Sequence, residues 1–188
     1  MNKLKQAQNK VEQWLEEVVI GLGLCPFAAY PHQQDQVHIE IYEGNADEKL
    51  LNALTNECQR LYTQDRNAAN YVETSLICLS HALSDFIEYN DFLGLANLYL
   101  EQEGWSGHFQ LASFHPGYQF AHTAPDDKDN LTNRAPLPIF HIIREASLEH
   151  VLSTYEDPEG IYERNIQCVH ALTEAQLISL FPHIYKPK

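Results

Sequence analysis

The chain has 188 residues, with 26 acidic and 12 basic side chains, a formal net charge of −14 and 44% hydrophobic residues. That length suits one domain with a substantial core, and the apolar content excludes a disordered chain. The negative surface disfavours nucleic acid and membrane as partners, while a local pair of arginines can still hold a small anion.

The first predicted element is a helix over residues 3–22, with Leu4, Val11, Trp14, Leu15 and Val18 on one face. Gly21 and Gly23 weaken its end, and Pro26 forbids its continuation. Val37–Tyr42 alternates apolar and polar residues as a strand does. Asn45 followed by Glu48 suggests a capping box, opening a helix with Leu50, Leu51, Leu54, Cys58 and Leu61 on one face. Thr74–Ser80 is apolar on both faces, as a central strand requires. Ser84 or Asp85 caps the next helix, which stops at Gly104.

Phe109–His115 is a third strand and Ile139–Arg144 a fourth. Between them runs a proline-studded segment, 116–138, too long for an ordinary connection and therefore expected to be functional or mobile. Ser147, Asp157 with Pro158, and Thr173 with Gln176 mark the starts of three carboxyl-terminal helices. The order predicts a single α/β domain. A mixed sheet of about four strands is covered by helices, with a helix at the amino terminus and a helical carboxyl-terminal segment.

Candidate chemistry gathers around the last two strands, where four of the ten histidines and two of the five arginines fall between His108 and Glu145. Arg134 and Arg144 suit a carboxylate or phosphate, with Asn133 and Glu145 beside them; the alternative is a structural ion pair with an acid such as Glu145, Asp91 or Asp127. If the two strands are neighbours, His115 and His141 approach each other and can work as acid and base. His115, His122 and His141 form a weaker metal-hydrolase alternative, since no ligand spacing supports a metal.

Cys25 precedes Pro26. At the cap of a new helix its thiol pKa is lowered, whereas in the last turn of the first helix it stays protonated; a small buried hydrophobe is the plain alternative. The four cysteines contain no CxxC pair, so a cytoplasmic protein with free thiols is expected. There is no glycine-rich phosphate loop and no GxSxG elbow, and no cofactor is indicated.

Three passages, VIGLGLCPF (19–27), FQLASFHPGYQF (109–120) and NRAPLPIFHIIRE (133–145), together resemble the bacterial and plant family called domain of unknown function 1415. The resemblance covers nearly the whole chain and implies a small single-domain protein without implying a substrate. From the residues, the leading expectation is a small enzyme for an anionic metabolite, with the site at the ends of the last two strands and the loop between them. A non-catalytic module using the 116–138 loop (Tyr118, Phe120, Pro125) as a contact surface is the second.

Overall fold

The computed structural model describes residues 2–155 and 157–186. Four strands form one mixed sheet in the order β1-β2-β4-β3, with β1 Val37–Tyr42, β2 Thr74–Leu79, β3 Phe109–Phe114 and β4 Ile139–Arg144. β1 runs parallel to β2, and β4 lies antiparallel to both β2 and β3. The helices are α1 Lys3–Trp14, α2 Ala29–Gln33, α3 Glu48–Tyr62, α4 Phe86–Gln102, α5 Glu145–Thr154, α6 Ile161–His170 and α7 Glu174–Leu180. No described helix is long and apolar enough to cross a membrane.

Successive side chains of the central strands point to opposite faces, and this divides the core in two. Ile77, Leu79, Phe140 and Ile142 pack with Leu54 and Leu61 of α3 and with Tyr89 and Ala96 of α4. Leu76 and Ile139 face the other way, onto Val11, Trp14 and Val18 from the first helix and onto Val169, Leu177 and Phe181 from the last two. The long connection supplies Leu131 and Ala135 to this second cluster, so it is a packed part of the core. Its middle forms a 3-10 helix over Lys128–Asn133.

The first helix departs from the expected 3–22 span. After Trp14 it continues as a π-helix over Leu15–Ile20, with Gly21 N–H reaching back five residues to the Glu16 carbonyl at 2.9 Å. A Cβ at Gly21 would sit 2.4 Å from the Glu17 carbonyl oxygen, and Gly23 has φ +68°, so both glycines are needed to turn the chain out.

Several caps also differ. Asp47, not Asn45, caps α3 by accepting from the Lys49 N–H. Of the two residues considered for α4, Asp85 is the cap. α5 starts directly after β4, so Arg144 and not Ser147 stands at its N-cap. α6 begins at Ile161; Asp157 instead closes the preceding turn by accepting from Gly160 N–H at 3.1 Å. Thr173 and Gln176 do form the capping box of α7.

Candidate functional site

The two arginines of the last strand region are committed to the chain's own carbonyls. Arg134 donates from Nε to Tyr118 O at 3.1 Å and from Nη2 to Pro125 O at 2.5 Å. Its own carbonyl accepts the Trp14 indole N–H at 2.9 Å, so it ties the long connection to α1. Arg144 donates from Nη2 to Leu61 O at 2.6 Å and Val72 O at 3.3 Å, under the rings of Tyr71 and Phe109. They are only 8% and 9% exposed, on separate parts of the fold. Asn133 donates to Ser113 O at 3.2 Å, and Glu145 accepts from Gly107 N–H at 3.3 Å. These four residues do not converge on one pocket.

The two histidines are also apart. Phe109 pairs with Arg144, Leu111 with Ile142 and Ser113 with Phe140, so the odd residues of β3 share a face with the even residues of β4. His115 follows that parity and lies against Phe86 and Tyr89, on the face opposite His141. Its Nε2–H donates to Leu83 O at 3.0 Å while Nδ1 accepts from Gly117 N–H at 2.9 Å. Burial pushes its pKa down, and both nitrogens are spent on holding the turn. His122, at φ +69°, is on the exposed loop, so the three histidines of the metal alternative do not meet.

What the fold does build is a cavity of about 550 Å³ between α1, the Cys25–Ala28 turn, β4 and the start of α5. Cys25 and His141 both line it, with Trp14, Phe27, Thr74 and Phe114 among the other walls. Cys25 is in neither of the two expected settings. It lies beyond the first helix, with its N–H directed to Val19 O at 3.4 Å, and four residues before Ala29, where α2 begins. Burial raises its thiol pKa, only partly offset by hydrogen bonds from the Phe27 and Ala28 N–H groups. Asn165 of α6 anchors the turn by donating to Leu24 O at 2.7 Å.

His141 stands in the middle of the sheet, opposite Leu76 on one side and Ala112 on the other. Thr74, two residues from Leu76 on the same face of β2, is its diagonal neighbour. The Thr74 hydroxyl donates to Ile142 O at 2.7 Å, so it accepts from His141 Nε2–H, also at 2.7 Å. That fixes the tautomer and leaves Nδ1 as a lone-pair acceptor with no hydrogen-bond partner among the described residues. Burial pushes the imidazole pKa down to about 4, so it is neutral at physiological pH.

A second polar cluster was not anticipated. Glu57, 5% exposed, points from α3 to the sheet, where His38 Nδ1 lies 3.0 Å from Oε1, Arg60 Nε donates to Oε2 at 2.7 Å and the Ser75 hydroxyl also donates. Burial alone would raise its pKa, but the hydrogen bonds from Arg60, His38 and Ser75 hold it at about 2. Among the described residues His38, Glu40 and Glu57 are the trio whose ligand atoms lie within 4.8 Å of one another, but Arg60 already supplies the positive charge there.

Comparison with curated proteins and with solved structures gives no significant match. One family does match, across residues 6–179, and it takes in the Cys25 turn, the long connection and both central strands. On that coverage the chain belongs to the family described as protein of unknown function DUF1415.

Proposed function

We propose that the chain is a small-molecule enzyme whose site is the cavity between the first helix and β4, with Cys25 as nucleophile and His141 as its base. The observation that carries this reading is that a thiol and an imidazole line one mainly apolar cavity of about 550 Å³. That volume falls in the range of ligand pockets, roughly 300–1,000 Å³. Both groups are neutral near pH 7, since burial raises the thiol and lowers the imidazole. His141 has its Nδ1 lone pair available, so it can take the Cys25 proton as sulfur attacks an electrophilic carbon, and return that proton to the leaving group. Thr74 holds the imidazole in the tautomer this needs.

The reading moves the site away from the loop 116–138. Tyr118 packs on Phe86, and Phe120 on Tyr118 and Tyr162, so these loop aromatics are engaged within the fold. The test is a thermal-shift screen of small molecules in which every hit is followed by iodoacetamide labelling of Cys25. Hits are expected to protect Cys25 and to disappear in Ile143→Trp, which fills the cavity from β4. Compounds that raise the melting temperature while leaving Cys25 labelling and the Ile143→Trp response unchanged would place the ligand site elsewhere.

A further inference from the structure

Four of the five arginines have acceptors within the chain: Arg60 on Glu57, Arg164 on Asp157, and Arg134 and Arg144 on backbone carbonyls. Arg66 is the remaining one. It makes no hydrogen bond or ion pair among the described residues, and it lines the same cavity as Cys25 and His141. In a chain with 26 acidic residues, Glu73 is the one carboxylate in that lining, and its Oε2 is already held by the Tyr71 hydroxyl at 2.7 Å. Arg144 also lines the cavity, so two guanidinium groups stand against one carboxylate and the cavity is locally positive within a negative molecule.

The start of α5 adds to this. Ala146, Ser147 and Leu148 line the cavity, and the helix has no side-chain cap, so the positive end of its dipole lies at the wall. The rest of the lining is mainly apolar, with Trp14, Val37, Leu76, Phe27 and Phe114 among it. Such a division selects a molecule with an apolar, ring-sized part and one anionic group.

We infer that the ligand is an amphipathic carboxylate, its apolar part enclosed by the aromatic walls and its anionic head paired with Arg66. The inference rests on the cavity being the ligand site. Arg66 is a binding residue here, since it offers a carboxylate a forked donor that is unmatched among the described residues. The anion expected from the sequence is retained, and the residue that holds it changes from Arg134 and Arg144 to Arg66.

The experiment is calorimetric titration of the full chain with a graded set of aryl carboxylates, from benzoate to 1-naphthylacetate, and with the matching neutral alcohols. Cys25 protection from iodoacetamide reports whether the compound occupies the cavity. Wild type is expected to bind its best carboxylate about tenfold or more tightly than the matched alcohol, the size of one charge-assisted contact. Arg66→Gln should abolish that preference and leave alcohol binding within about twofold of wild type, and Arg66→Lys should restore part of it. Arg66 is exposed and has no hydrogen-bond or ion-pair partner among the described residues, so these variants fold as wild type does. If acid and alcohol protect Cys25 equally well in wild type, the anionic head is overturned and the cavity reading stands. If neither series binds or protects Cys25, the cavity reading falls and takes this inference with it.

Discussion

The imidazole Nε2 of His141 and the hydroxyl of Thr74 meet at 2.7 Å, and the Thr74 proton is directed away to Ile142 O. The contact orients the ring and closes Nε2, so any proton taken up must go to Nδ1. With the folded pKa near 4 and the ordinary value at 6.5, the unfolded chain binds this proton first as pH falls. Stability is therefore complete above pH 6.5 and is lost as pH drops from 6.5 towards 4. A fully dry site would make that loss about 3 kcal/mol; the cavity lets water reach the ring, so we expect about 1–2 kcal/mol. His183, also held near 4 by burial and by Arg134 and Lys10, titrates over the same interval. The comparison that isolates His141 is the urea midpoint at pH 7.5 and 5.0 in wild type and His141→Gln. The variant should lose less on acidification, and an equal loss in both proteins contradicts the burial of a neutral His141.

Arg144 is predicted to act on stability and not on ligand affinity. Arg144→Met keeps most of the volume under Tyr71 and Phe109 but takes the guanidinium donor from Val72 O and leaves Leu61 O with the Gln64 N–H alone at 3.3 Å. Leaving buried acceptors unmatched costs about 1–3 kcal/mol. Arg144→Ala should cost roughly 1 kcal/mol more, because the packed side-chain stem is lost as well. Denaturant unfolding measures both, and full stability in Arg144→Met would show that the carbonyls do not depend on the guanidinium.

Glu57 gives a second acid-sensitive contact with its own window. Its carboxyl is held at about 2, below the ordinary 4.5, by Arg60, His38 and Ser75. The folded pKa is depressed, so the contribution is present in full above pH 4.5 and is lost as pH falls through that value towards 2. Glu57→Gln should lower stability at pH 7 by about 2–3 kcal/mol, since a neutral amide leaves Arg60 without its anion. The gap to wild type should be unchanged between pH 7 and 5 and should narrow at pH 3.5, as read from guanidinium unfolding. A gap that stays constant down to pH 3 would mean that Glu57 is not the group titrating.

Most of the fold follows from local patterns. The alternation in β1, the two-sided apolar run of β2 and the caps at Asp85 and Thr173 were all legible in the sequence, and the four strands and their helices follow from them. The pairing of β3 with β4 was not, and it decides the site: only the register shows that His115 and His141 lie on opposite faces. Glu57 did carry a signal, since it falls between Leu54 and Leu61 on the buried stripe of α3, a position where a charge needs a partner. Arg66 carried none. Its role depends on how the segment after α3 folds back over a cavity, and a void between layers leaves no periodicity behind.

Cys25 tests whether the cavity thiol is activated in the resting protein. Two backbone N–H groups, from Phe27 and Ala28, favour the thiolate, but burial outweighs them and the thiol pKa is raised. Only the thiolate is alkylated, so at pH 7.5 Cys25 should react more slowly with iodoacetamide than an unburied thiol of pKa about 8.5. Its rate should still be climbing with pH where that of an unburied thiol has levelled. Peptide mapping by mass spectrometry separates it from Cys168, the other half-buried cysteine. A Cys25 rate that is already level at pH 7 would reveal a stable thiolate, and with it a thiolate–imidazolium pair in place of two neutral groups.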